Sequence, residues 1–233
     1  MLKKLVRLIL DVLLIACIGI ALYFGYQVYQ RYKEDKQNHD TYQKIQSYTK
    51  KGINWEKLKK INPDIVGWIK VKGTKINYPV VKGKTNRTYL HTDFNKKYSY
   101  GGCIFLDSHD HKDLDKNQHT IIYGHHMRNG SMFADLVKFR KGNFAKKHQI
   151  LLYTPKKTYH LQAFSVYAKN ADSTMPITFT DDTEKKDYIM RLIRRNGIPN
   201  ISKQADDKKS IFTITTCSYE GNDYRTYVHC AEK

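Results

Sequence analysis

Eight short runs of β-branched and aromatic residues, separated by turn chemistry, predict a mainly β domain with flanking helices, arranged as a barrel or a sandwich. Three observations carry this. The runs follow one another from residue 67 to the C-terminus, at 67–71, 76–81, 103–106, 120–123, 150–153, 159–167, 211–216 and 225–232. One helical stretch interrupts them, between the sixth and the seventh run. The length of 233 residues, less one apolar segment, suits a single well-buried domain.

The elements are justified in chain order. Residues 8–26 carry a single charge, Asp11, and as a helix they would extend about 28 Å, enough to cross a hydrocarbon core. Asp11 lies one turn from Arg7 and can pair with it near the end of the span. A short N-terminus (1–7) followed by one spanning anchor (8–26) is the expectation. Lys3, Lys4 and Arg7 are nearly matched by Arg31, Lys33 and Lys36 beyond the span, so charge alone does not orient it. Two processed forms stay open, a small-x-small site at Gly19-Ile20-Ala21 and a lipoprotein-like box at Leu14-Ile15-Ala16-Cys17. Against both, the chain stays apolar as far as Tyr26.

Residues 27–53 are polar, with Tyr29, Tyr32, Tyr42, Ile45 and Tyr48 spaced as a narrow helical stripe, which predicts a stalk. Residues 54–233 then form the folded domain. Asn54 suits the N-cap of a short helix with Trp55, Leu58 and Ile61 on one face, stopped by Asn62-Pro63. In the long connection before run 211–216, Thr180 or Asp181 can cap a helix whose apolar face is Tyr188, Ile189, Leu192 and Ile193, ended by Gly197 and Pro199.

Formal net charge is +19, of which residues 1–26 contribute +2 (Lys3, Lys4 and Arg7 against Asp11). No nucleic-acid-binding signature accompanies the charge, so attraction to an anionic membrane or wall polymer is the better use for it. The four cysteines, at 17, 103, 217 and 230, make neither a disulfide framework nor a zinc pattern, although a bridge between Cys103 and Cys230 stays open. His109, His111 and His119, among Asp107, Asp110, Asp113 and Asp115, read as a solvated polar loop rather than a metal site. His229 reads as a structural strand residue. No metal or cofactor is implied.

The chemistry concentrates at two strand exits. Run 211–216 ends at Cys217, and Gly221-Asn222-Asp223 turns the chain into run 225–232. A hairpin centred on Gly221 places Cys217 opposite Arg225, with Cβ atoms about 4.5–5.5 Å apart. A fixed guanidinium favours thiolate over thiol and donates to a carbonyl oxygen gaining charge. The proton shuttle is sought in Gly124-His125-His126, at the end of the β-branched run Thr120-Ile121-Ile122-Tyr123. Neighbours on an extended segment face opposite sides, so only one of the two imidazoles serves.

At these residues the chain resembles a known family. Thr213-Ile214-Thr215-Thr216-Cys217 is similar to the Thr-Leu-x-Thr-Cys signature of sortases, with Ile214 where Leu is usual, an Arg eight residues on and a Gly-His upstream. Asn62-Pro63-Asp64-Ile65-Val66-Gly67-Trp68-Ile69, Ile76-Asn77-Tyr78-Pro79-Val80-Val81 and Gly130-Ser131-Met132-Phe133 resemble class B in particular, so the likeness runs from Trp55 to the C-terminus. It selects a sortase-type closed β-barrel of about eight strands, with N-terminal helices and a helix in the connection before the nucleophile strand.

The resemblance implies a membrane-anchored cysteine transpeptidase, single-pass, with its catalytic domain on the wall side. Cys217 would attack the carbonyl of a Thr in a cell-wall sorting signal, of Asn- or Ser-Pro-x-Thr type, and a peptidoglycan amine would resolve the thioacyl-enzyme. His125, the imidazole directly after Gly, would move the protons, and Arg225 and the Ser218 N–H would stabilise negative charge. Asn86, Leu90 and Thr215 would line the groove. The partners would be sorting-signal-bearing surface proteins, the peptidoglycan amine and the membrane. A cysteine hydrolase resolved by water is the alternative within enzymes, and a non-catalytic basic wall-polymer-binding module the alternative outside them. An L,D-transpeptidase is disfavoured by the missing Ser-His-Gly-Cys context.

Overall fold

The computed structural model describes residues 2–50, 52–171, 175–195, 210–217 and 223–233, and of Cys217 the backbone only. The chain divides into two compact units, Met1–Thr41 and Tyr42–Lys233. Helix α1, Leu2–Ser47, makes up the first and enters the second. Within α1 one stretch is long and apolar enough to cross a membrane, with no part of it buried.

In the second unit, eight strands close a barrel in the order β1-β2-β3-β4-β7-β8-β6-β5. They are β1 Ile65–Val71, β2 Asn77–Val81, β3 Ile104–Leu106, β4 His119–Tyr123, β5 Ile150–Tyr153, β6 Thr158–Asn170, β7 Ile211–Cys217 and β8 Tyr224–Glu232. All eight expected runs are strands, and closure removes the open edges a sandwich would leave. Neighbours are antiparallel except β2 with β3 and β4 with β7. The parallel β4–β7 pair brings together two distant stretches of the chain, His119 pairing with Ile211 and Tyr123 with Thr215.

Alternation along β7 and β8 sorts their side chains between two cores. Phe212, Ile214, Val228 and Cys230 join the larger core cluster with Ile69, Val80, Ile104, Leu152 and Leu161. Ile211, Tyr227 and Ala231 lie in a second cluster with Tyr188, Ile189 and Leu192 of helix α4, Asp182–Arg194. Asp181 caps α4 by accepting from Glu184 N–H at 2.8 Å, and Glu184 answers by accepting from the Thr180 N–H and hydroxyl, both at 2.7 Å. Gly197 and Pro199, expected to end this helix, lie outside the described residues.

Of the expected stripe on α1, the C-terminal part packs while Tyr29 and Tyr32 are exposed. Helix α2, Trp55–Ile61, is capped by Asn54, whose side chain accepts from Lys57 N–H at 3.0 Å, and buries Leu58 completely. From the end of α1, Tyr42 and Ile45 are buried, and the Tyr42 hydroxyl donates to Gly102 O at 2.7 Å.

The loop reading of 107–119 needs correction. His109 and His111 are exposed, but His119 opens β4 and is fully buried, as nearly are Asp107 and Asp110. Their burial is possible because each finds partners. His119 meets Pro176 O and the Thr213 hydroxyl, and Asp110 accepts the Ile121 N–H at 2.8 Å. Cys103 and Cys230 are buried free thiols, so the bridge left open above is not formed, and burial pushes both thiols far up from their ordinary range.

Candidate active site

Strands β4 and β7 end together. Tyr123 pairs with Thr215 across their parallel ladder, and the next step of the chain is tied down as well, Gly124 N–H donating to Thr215 O at 3.2 Å. Gly124 has no room for a side chain, since a Cβ there would collide with Ile104 and Phe133. The glycine before His125 therefore lets the backbone lie tightly against the barrel wall and delivers the imidazole to its rim.

On the other side of β7, the antiparallel register with β8 pairs Thr215 with Tyr227, Thr216 with Thr226 and Cys217 with Arg225. This is the pairing the turn chemistry predicted. Ser218 lies outside the described residues.

A cavity of about 310 Å³ opens where these elements meet, and His125, Arg225, Thr215, Leu90 and Asn86 line it, together with Tyr123, Phe105 and Arg87. Of the two adjacent imidazoles, His125 lines this cavity and His126 does not; the His126 backbone pairs with Met132. A larger hollow of about 750 Å³ beside Tyr48 and Trp55 holds none of the candidate residues, so size alone does not identify the site.

His125 is held from one ring nitrogen. Its Nε2 lies 2.8 Å from Leu90 O, and a carbonyl only accepts, so Nε2 carries a hydrogen and Nδ1 is the nitrogen left to exchange a proton. The Leu90 carbonyl is itself fixed. Gly102, at φ 52°, packs so closely on the Tyr89 and Leu90 carbonyls that a Cβ would collide with both. Burial holds His125 below the ordinary imidazole range; the Leu90 carbonyl pulls it partly back, and His91 pushes it further down.

One wall of the cavity is a hydrogen-bonded network around Asp107. Its carboxylate accepts from Asn86 Nδ2 at 2.9 Å, the Tyr123 hydroxyl at 3.0 Å and the His109 N–H at 2.9 Å, while Asn86 Oδ1 accepts the Ser108 N–H at 2.7 Å. Burial alone would raise Asp107, but these donors, with the His109 ring, overcome it and keep the carboxyl below its usual range. Burial, with Asp107 nearby, pushes the Tyr123 phenol well up, so it stays a donor. Asn86 thus reaches the cavity as a residue braced at both ends.

Beneath the rim, Thr215, Thr216 and Thr226 bury hydroxyl oxygens without a hydrogen-bond partner. Asp107, Tyr123 and the Leu90 carbonyl were not foreseen as site groups, because their roles arise from contacts across 35 residues in the case of Leu90 and 16 or 21 in the case of Asp107.

A family model described as Sortase domain matches residues 69–233. The chain is 36% identical over 220 residues to a Staphylococcus aureus protein named Sortase B, covering 89% of each. It is 32% identical over 226 residues to a Listeria monocytogenes Sortase B, covering 91% of this chain and 90% of that one. Among solved structures, a Staphylococcus aureus sortase B–substrate complex superposes with a TM-score of 0.75 at 34% identity, covering 86% of this chain and 99% of the other. His125 and Arg225 line one cavity, and Arg225 pairs with Cys217 at the end of β7; by the family model and both relatives the chain belongs to the sortase family, in its class B branch, and is a cysteine transpeptidase.

Proposed function

We propose that the enzyme cleaves a cell-wall sorting signal after Thr and passes the protein to a peptidoglycan amine, with Cys217 as nucleophile. The observation that supports this is the β7–β8 register, which pairs Cys217 with Arg225, a residue that lines the same cavity as His125. In acylation the Cys217 thiol gives its proton to His125 Nδ1, its sulfur bonds the Thr carbonyl carbon, the peptide C–N bond breaks, and the Nδ1 proton goes on to the departing amine. In the second half an amine nitrogen bonds that carbon, the C–S bond breaks, and the amine's proton returns to His125.

Arg225 and the Ser218 N–H stabilise the oxyanion in both halves. Leu90 and Thr215 contact the sorting peptide, and Asn86, braced by Asp107 and Ser108, supplies a polar contact in fixed position. A hydrophobic helix over 8–26 anchors the enzyme, 27–53 spaces it from the bilayer, and 54–233 works on the wall side. The cationic surface suits the anionic wall around it.

The test is mass spectrometry of the protein incubated with peptides of Asn-Pro-x-Thr and Ser-Pro-x-Thr type. A Cys217 adduct ending in Thr is expected, and Cys217→Ala should eliminate both adduct and turnover while leaving the melting temperature within about 2 °C. Undiminished turnover by the alanine variant would falsify the assignment. Product made in water alone, with no increase on adding an amine, would favour the hydrolase reading.

A further inference from the structure

The ring system around His125 continues past the cavity. His91 stacks on His125 at 5.5 Å and 21°, Tyr100 lies 6.2 Å from His125 at 17°, and Tyr98 lies 6.3 Å from His91. None of the three lines the cavity. Tyr98 and Tyr100 are 71% and 61% exposed, and among the described residues of the barrel unit only Met190 joins them as a well-exposed large apolar side chain. Among the described residues of the barrel unit, the well-exposed aromatic side chains thus lie beside its imidazole.

The loop presenting them is braced. Asp93 N–H donates to Lys97 O and Lys97 N–H to Asp93 Oδ1, both at 2.8 Å, and Ser99 N–H donates to His91 O at 3.1 Å. Phe94 is fully buried, and its carbonyl accepts from Asn62 Nδ2 at 3.1 Å. Tyrosines on a rigid loop have little conformational freedom left to lose, so they form contact surface at low entropic cost.

On the reading above, the acyl chain fills the cavity after the first half-reaction, so the second substrate must reach the thioester from outside it. Among the described residues outside the cavity, His91 and Tyr100 of this shelf stack against the His125 ring. The incoming group is a primary amine, largely an ammonium at neutral pH, and tyrosine faces attract ammonium ions. The nearby Lys96 is paired with Asp64 at 3.3 Å, which moderates its repulsion.

We propose that His91, Tyr98 and Tyr100 form the subsite for the amine-bearing second substrate, holding its ammonium beside His125. The ammonium sheds one proton to solvent to become a nucleophile. As the N–C bond forms and the C–S bond breaks, a second proton passes to His125 Nδ1 and the sulfur leaves as thiolate. Two sources share this chemistry, a peptide N-terminus and a diamino-acid side chain.

The experiment uses the full chain in detergent with saturating sorting peptide, and titrates either triglycine or a peptide carrying a diamino-acid side-chain amine; N-acetyl-triglycine is the control. Tyr98→Ala should raise the apparent KM for the amine about threefold, and Tyr98→Ala with Tyr100→Ala about tenfold. Each rise should exceed that for the sorting peptide at least threefold, and the Phe variants should restore it. The probe that shows the split identifies the amine source, and N-acetyl-triglycine should not compete. A parental KM for both amines, or equal rises for amine and sorting peptide, would overturn the subsite. Absence of a Cys217 acyl-enzyme in the parent protein would instead overturn the reading beneath it, and the subsite with it.

Discussion

His119 and His125 stand at the two ends of β4, and their environments have almost nothing in common. His119 is fully buried, its Nδ1 facing Pro176 O and its Nε2 lying 2.7 Å from the Thr213 hydroxyl, which in turn meets His229 Nδ1 at 2.7 Å. His125 is half-buried at a cavity, tied through Nε2 to Leu90 O. Burial lowers both imidazoles, His119 to about 4. A ring whose two nitrogens are both engaged in a dry interior is a structural strut. One held by a single nitrogen at a cavity rim keeps the other for chemistry.

The largest expected effect comes from breaking the working member of the pair. His125→Ala should lower turnover of a sorting peptide by about 10²–10⁴, with the melting temperature nearly unchanged. Turnover within threefold of the parent would move the proton shuttle elsewhere, His126 being the first alternative to test by the same substitution. Because His125 is lowered, the limb of the turnover-versus-pH profile that reports it should fall below the ordinary imidazole value of 6.5.

Substituting the strut should have the opposite signature. His119→Ala leaves a buried cavity and removes one of the Thr213 hydroxyl's two partners, a loss of about 3 kcal/mol in unfolding free energy. Activity per folded molecule should be retained. The parent also has a pH signature here: between about 4 and 6.5 the unfolded chain binds the proton that folded His119 refuses, so His119 costs stability as pH falls through that window.

A smaller effect sharpens the same contrast among the carboxylates. Asp107 accepts several donors and stays low, whereas Asp110, three residues on, accepts the Ile121 N–H on one oxygen and leaves the other buried without a partner. Burial accordingly raises it to about 7. Folded Asp110 keeps its proton where the unfolded chain has lost it, so its contribution to stability declines as pH rises from about 4 to about 7. Asp110→Asn mimics the protonated acid. Its stability relative to the parent should therefore improve with pH across that window, by on the order of 1–3 kcal/mol, and then level off. Denaturant melts at pH 4, 6 and 8 would measure it, and a difference that does not vary with pH would sink the account.

The strand runs were legible because β-branched and aromatic residues between turn formers restrict the chain locally, and the Cys217–Arg225 pairing followed from a short hairpin whose register a single turn sets. His125 was legible as a residue but not as an environment. The carbonyl that selects its tautomer belongs to Leu90, and the burial that lowers it comes from the packed barrel rim. The polar stretch 107–119 reads by composition as solvated, and composition misleads where folding brings partners such as Asn86, Tyr123 and Thr213 to its buried polar groups.

The amino-acid order by itself determined the eight strands, the helix caps at Asn54 and Asp181, the apolar N-terminal helix and the pairing of Cys217 with Arg225, all of which rest on neighbours within a few residues. Tertiary structure alone decided that β4 lies beside β7, that Asp107 braces Asn86 and Tyr123, and that His119 is a strut while His125 faces a cavity. Those outcomes depend on contacts between distant segments. Their energies exist only once barrel closure has excluded water and set the partners at hydrogen-bonding distance.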